Sequence, residues 1–140
     1  MITAIDSNVI IGLWNADDTL NPLARKALEG AFAGGSLVIC GAVFGELIAC
    51  PGRTEQFINR FLEDTEITVD WTSNEVVWRT AGTAFQKYAN QRRKLGSGHP
   101  RRILTDFYIG AHALVNGYAL LTLDDRIFRP AFPKLNVINA

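Results

Sequence analysis

Four carboxylates occupy positions from which they could act together. Asp6 stops the apolar run Ile2 to Ile5, and Asp124 follows Leu120-Leu121-Thr122-Leu123. Asp106 opens a helical segment, and Glu46 sits inside the apolar stretch Phe44-Gly45-Glu46-Leu47-Ile48. Converging carboxylates repel one another and resist desolvation unless a cation joins them. Hard oxygen ligands without a Cys or His cluster suit Mg²⁺ or Mn²⁺ rather than Zn²⁺. Such ions activate a water and neutralise charge on a phosphodiester.

Each acid also has a structural reading of its own. Asp6 can cap the helix that follows it. Asp106 is favoured in a first helical turn by the dipole. Asp124 can be a turn residue. Glu46 is the hardest to explain away, because a charge among apolar neighbours needs a partner. Asp125 is a second acid beside Asp124; strand register favours Asp124, with Asp125 as the fallback ligand.

The elements that must position these acids can be read from periodicity. Ile2 to Ile5, Leu37 to Cys40, Ile67 to Val69, Tyr118 to Leu121 and Leu135 to Ile138 read as short strands. Helices are expected between them: after Asp6, from Asn21-Pro22 to Gly34-Gly35, from Gly41 to Pro51, and after a Thr54 cap. A long helix is expected behind a Thr72-to-Glu75 capping box, and another from a Thr105 cap through Asn116. The alternation predicts an α/β three-layer sandwich: a small, mainly parallel sheet of about five strands flanked by helices, in one domain over residues 1–140. In open sheets of this kind, ligands bind beyond the carboxyl ends of the strands. Topology places Asp6 and Asp124 there. Asp106 and Glu46 join them only if their helices pack beside that edge.

Composition sets the outer bounds. The 140 residues carry 14 Lys plus Arg against 14 Asp plus Glu, a net charge of zero, so no global field attracts a polyanion. A hydrophobic fraction of 48% excludes a disordered chain. Cys40 and Cys50 make no disulfide scaffold and are expected to be reduced. The first residues lack the pattern of a secretory signal, and no apolar run approaches the roughly 20 residues of a membrane span. The expected location is cytoplasmic.

Taken in order, Ile5-Asp6-Ser7-Asn8-Val9-Ile10, Gly45-Glu46-Leu47, Thr105 to Ala113, and Leu121-Thr122-Leu123-Asp124 with Phe128 four residues on resemble the PIN-domain family. Within it, the chain is similar to VapC-type toxins of toxin–antitoxin pairs. Each motif is short, but the ordered set spans nearly the whole chain. The resemblance implies a Mg²⁺- or Mn²⁺-dependent endoribonuclease (a hydrolase), with Asp6, Glu46, Asp106 and Asp124 as its catalytic and metal-binding acids. It matches Ser7 and Thr122 to the hydroxyl positions beside the first and last acids. It matches Asn8 to the Asn of the first motif, in a supporting role. It also implies an RNA substrate, an antitoxin partner and a homodimer. Leu123 departs from the pattern: an Arg is common there in the family.

Other readings stay open on sequence alone. A non-catalytic scaffold of the same fold would bind RNA or protein without cutting; metal-dependent RNA cleavage separates the two. A haloacid-dehalogenase-type Mg-dependent phosphatase needs Asp-x-Asp after the first strand, where this chain has Asn8. A receiver-type phosphoacceptor has Asp70 in place but no Lys after Val137. The basic stretch Arg92, Arg93, Lys94, Arg101 and Arg102 is either a solvated helix end or a phosphate-gripping loop leading into Asp106. His99 and His112 are expected in loop and packing roles. Leu13, Trp14, Phe44, Phe57 and Phe61 supply more large apolar surface than a small core needs, and part of it is expected to form a groove for an antitoxin helix.

Overall fold

A computed structural model describes residues 1–72, 74–96 and 104–140. Five strands, β1 (Ile2–Ile5), β2 (Ser36–Cys40), β3 (Thr68–Asp70), β4 (Ala119–Thr122) and β5 (Val137–Asn139), form one sheet in the order β3-β2-β1-β4-β5. All four pairings are parallel. The helices are α1 (Ser7–Trp14), α2 (Asn21–Gly34), α3 (Gly41–Ala49), α4 (Glu55–Thr65), α5 (Glu75–Lys94), α6 (Leu104–Asn116) and α7 (Phe128–Ala131). The short α7 was not among the expected elements. Among the described residues, no helix is long and apolar enough to cross a membrane.

The chain builds outward from β1 to β2 and β3, then returns past β1 to lay down β4 and β5. Right-handed crossovers therefore send α1 to α4 over one face and α5 to α7 over the other. The direction of winding reverses between β1 and β4, and a doubly wound sheet opens its ligand crevice at such a point. The register Ile5↔Leu121 makes the residues that follow, Asp6 and Thr122, direct neighbours. The Asp6 N–H donates to the Leu121 carbonyl at 2.9 Å, which carries the pairing one step past β1.

Burial follows the apolar runs. Ala4, Ile5, Val38, Ile39, Leu120 and Leu121 form the middle of the core. On α5, Val77, Ala81 and Ala84 are buried, while Phe85 and Tyr88 pack on the ring of the fully buried Phe107 of α6. Gly110 of α6 lets the Phe132 ring come so close that a Cβ there would overlap it. Asn21 ties α2 to α1: its side-chain amide donates to the Gly12 and Leu13 carbonyls at 3.0 and 2.9 Å, taking up acceptors that the end of α1 leaves unused.

Two expected caps are corrected. The cap of α5 is Asn74, whose Oδ1 accepts from the Val77 N–H at 3.2 Å. Thr72 instead belongs to the turn after β3, where its N–H donates to Asp70 Oδ1. Asn binds the free amides of a first turn as well as Thr does, and it stands directly before Glu75. Thr105 lies inside the first turn of α6 and does not precede it. Thr54 caps α4 as expected, accepting from the Phe57 N–H at 3.1 Å. Cys40 is buried and Cys50 half-buried, and neither is in a disulfide.

Candidate active site

Asp6, Glu46, Asp106 and Asp124 line one cavity of about 160 Å³ at the winding reversal, together with Ser7, Asn8, Ile127 and Phe128. The fold brings each acid there by a different route. Asp6 ends β1, and Asp124 lies two residues past β4. Glu46 sits on α3, leaving β2. Asp106 sits in the first turn of α6.

Asp6 occupies the cap position of α1, yet its side chain makes no capping bond. It is 5% exposed, and its Oδ2 accepts from the Thr122 hydroxyl at 2.9 Å. Thr122 is fully buried and its oxygen is fully used. It also accepts from the Asn8 amide at 3.3 Å and from the Asp124 N–H at 3.1 Å. Asn8 Oδ1 accepts from the Leu123 N–H at 3.2 Å. Asn8 and Thr122 thus lock the loop after β4 to the start of α1 and hold Asp6 in orientation. Ser7 donates its hydroxyl to Glu46 Oε1 at 2.9 Å, giving Glu46 the partner its apolar helix denies it.

The electrostatics are those of crowded acids. Burial pushes the Asp6 carboxyl up to about 6; the Thr122 hydrogen bond opposes this, and the charges of Asp106 and Glu46 add to it. Burial also raises Glu46, with Asp106 contributing and the Ser7 hydroxyl opposing. These are the conditions under which a hard cation is favourable, and the donors are all oxygens. The cage is not pre-assembled: among the described residues, no three His, Cys, Asp or Glu side chains are grouped closely enough to hold one ion. The Asp124 carboxylate shows one reason. Arg126 forks onto it, Nε to Oδ1 at 2.9 Å and Nη2 to Oδ2 at 2.7 Å. The donor set therefore fits a divalent ion chemically, while Asp124 must exchange partners to join it.

Asp125 is not on this cavity. It pairs with Arg129 and faces an adjoining hollow. Of the basic candidates, Arg92 and Arg93 lie in the last turn of α5, Arg92 over the Tyr88 ring, and neither lines the acidic cavity. Arg101, Arg102 and His99 lie outside the described residues. His112 is buried and bonds Asp70 at 2.8 Å, which holds the Asp70 carboxyl below its ordinary range. Sequence reasoning passed over Arg126. Its signal was an arginine two residues after a strand-end acid, a spacing at which a side chain can fold back onto its neighbour.

A family model of the PIN domain matches residues 3–133. Comparison with individual curated proteins finds no match. Among solved structures, the chain is similar to VapBC-1 from nontypeable Haemophilus influenzae, at 26% identity and TM-score 0.69, over 99% of this chain and 98% of that one. It is also similar to FitAcB from Neisseria gonorrhoeae, at 20% identity and TM-score 0.64, over 99% and 97% of the two chains. A toxin–antitoxin complex from Klebsiella pneumoniae aligns at 17% identity and TM-score 0.67, over 98% and 96%. The last two likenesses, below 25% identity, concern the fold.

Proposed function

This chain belongs to the PIN domain family, and from that membership we propose that it is a divalent-metal-dependent endoribonuclease, the toxin of a toxin–antitoxin pair. The observation that carries the reading is the convergence of Asp6, Glu46, Asp106 and Asp124 on one cavity at the winding reversal of the sheet. A Mg²⁺ or Mn²⁺ ion held by these oxygens would supply an activated water and charge neutralisation on the scissile phosphodiester.

The chain's own residues do the positioning. Asp6, bonded by Thr122, lines the cavity. Ser7 fixes Glu46 through its hydroxyl, and Asn8 keeps the Asp124 loop in place through Thr122 and Leu123. Phe128 and Ile127 add apolar surface to the cavity lining. Arg92 and Arg93, with Arg101 and Arg102 nearer to Asp106 in sequence, supply positive charge for RNA that a neutral chain otherwise lacks.

The partner readings rest on exposed apolar surface. Trp14 packs edge-on against Phe57 and Phe61, and Phe57 is exposed, leaving an apolar seam between α1 and α4 that suits an amphipathic antitoxin helix. Trp71 is 65% exposed and Trp78 is 47% exposed, with Phe44 against Trp71, on a face that suits a second copy of the chain. The protein acts in the cytoplasm, where RNA is available. Incubation of the purified chain with single-stranded RNA in Mg²⁺, Mn²⁺ or EDTA tests the reading. Cleavage with either metal and none in EDTA supports it. Metal-dependent RNA binding without cleavage would point to a non-catalytic scaffold.

A further inference from the structure

The acidic cavity opens beside a larger hollow of about 660 Å³, and the two share Ser7, Asn8 and Asp124. A nucleic-acid strand seated on the acids and passing through this hollow meets a hostile lining. Asp18, Asp124 and Asp125 all face it, and among its described lining residues Arg126 is the one basic side chain. Arg129 offsets Asp125. Among the described residues that line the hollow, Arg126 is the cation that a phosphate could use.

Arg126 is also built for exchange. Its guanidinium meets both Asp124 oxygens through two parallel N–H donors. The same planar fork fits two oxygens of a phosphate. Its side chain is 80% exposed, so the pair is screened by water and weakly held. The loop does not depend on the fork, because the Arg126 backbone N–H bonds Asp124 Oδ1 separately at 3.1 Å.

We propose that Arg126 is the phosphate-anchoring residue of this cleft: Asp124 holds its guanidinium in reserve and releases it to an RNA phosphate when the carboxylate turns to a divalent ion. The proposal rests on the nuclease reading. It adds a coupling that the acids alone do not provide, since ion binding and phosphate binding each release one half of the same ion pair.

The test uses the full chain and a short, fluorescently labelled 2′-O-methyl single-stranded RNA, which resists cleavage. Anisotropy measures its affinity for wild type, Arg126→Gln and Arg126→Lys, in Mn²⁺ and in EDTA, over a range of salt. In Mn²⁺, Arg126→Gln should weaken binding about five-fold at 0.1 M salt and flatten the salt slope by about 0.7, the loss of one contact to a single strand. Arg126→Lys should restore the slope, because it keeps the charge while losing the fork. In EDTA, wild type and Arg126→Gln should bind alike. Titration of Mn²⁺ without RNA should show tighter binding to Arg126→Gln, which lacks the Arg126–Asp124 pair. Mn²⁺-dependent binding by wild type that Arg126→Gln matches in affinity and slope overturns the anchor alone. Absence of any Mn²⁺-dependent RNA binding by wild type overturns the anchor together with the nuclease reading.

Discussion

The Thr122 hydroxyl donates to Asp6 Oδ2 at 2.9 Å across 116 residues of sequence, joining the first strand end to the fourth at the point where the sheet changes direction. Thr122→Val removes a hydroxyl donor from a buried carboxylate and strands the Asn8 amide. It should cost about 1–3 kcal/mol in urea unfolding of the metal-free protein, while Thr122→Ser should cost less than 1. Equal losses for the two variants would assign the effect to packing of the methyl group instead of to the hydroxyl.

Asp6 gives a stability prediction with a definite sign. Its folded carboxyl titrates at about 6 against an ordinary 3.8. Between those values, the folded chain holds a proton that the unfolded chain has lost. Stability of the metal-free protein therefore falls as pH rises through this window. Asp6→Asn abolishes the titration. Near pH 8 it should be more stable than wild type by up to about 3 kcal/mol, and near pH 4 the two should be similar. Urea melts in EDTA at the two pH values check this; a stability difference that does not change with pH would contradict it.

Gly110 and Gly82 form a matched pair on adjacent helices. Ala in place of a helical Gly gains roughly 0.5–1 kcal/mol from propensity alone. At Gly82, a Cβ meets nothing within 4 Å, so Gly82→Ala should realise that gain. At Gly110, the Cβ would overlap the Phe132 ring, and overpacking of this kind costs about 1–3 kcal/mol. Gly110→Ala should therefore be net destabilising. Thermal unfolding of the two variants decides whether the α6–Phe132 contact is as tight as described.

Much of this was legible in the sequence because apolar runs and punctuation agreed. The strands around Ile5, Ile39, Val69, Leu120 and Ile138 all formed, the first with its ends as expected and the others with an end shifted by one or two residues. The four acids were readable as a set because three follow strand or helix boundaries and the fourth interrupts an apolar helix. Local pattern could not show how the acids are held. The capping reading of Asp6 was locally sound, but a tertiary hydroxyl, Thr122, claimed the carboxylate. The α5 cap moved from Thr72 to Asn74 because the chain leaving β3 needed Asp70 and Thr72 for its own turn. Arg126 was hidden because its meaning depends on two cavities meeting at Asp124, and no spacing rule encodes that.

The most direct test of the central claim is Mn²⁺-dependent RNA cleavage by five single variants, each first shown by circular dichroism to be folded. Asp6→Asn, Glu46→Gln, Asp106→Asn and Asp124→Asn should each lose about 10²-fold or more, the scale on which removal of one preorganised catalytic group is felt. Asp125→Asn, which changes an acid off the cavity and paired to Arg129, should retain wild-type cleavage. Undiminished cleavage by Asp106→Asn, or loss in Asp125→Asn with Asp124→Asn active, would contradict the assignment of the four-acid cavity as the active site.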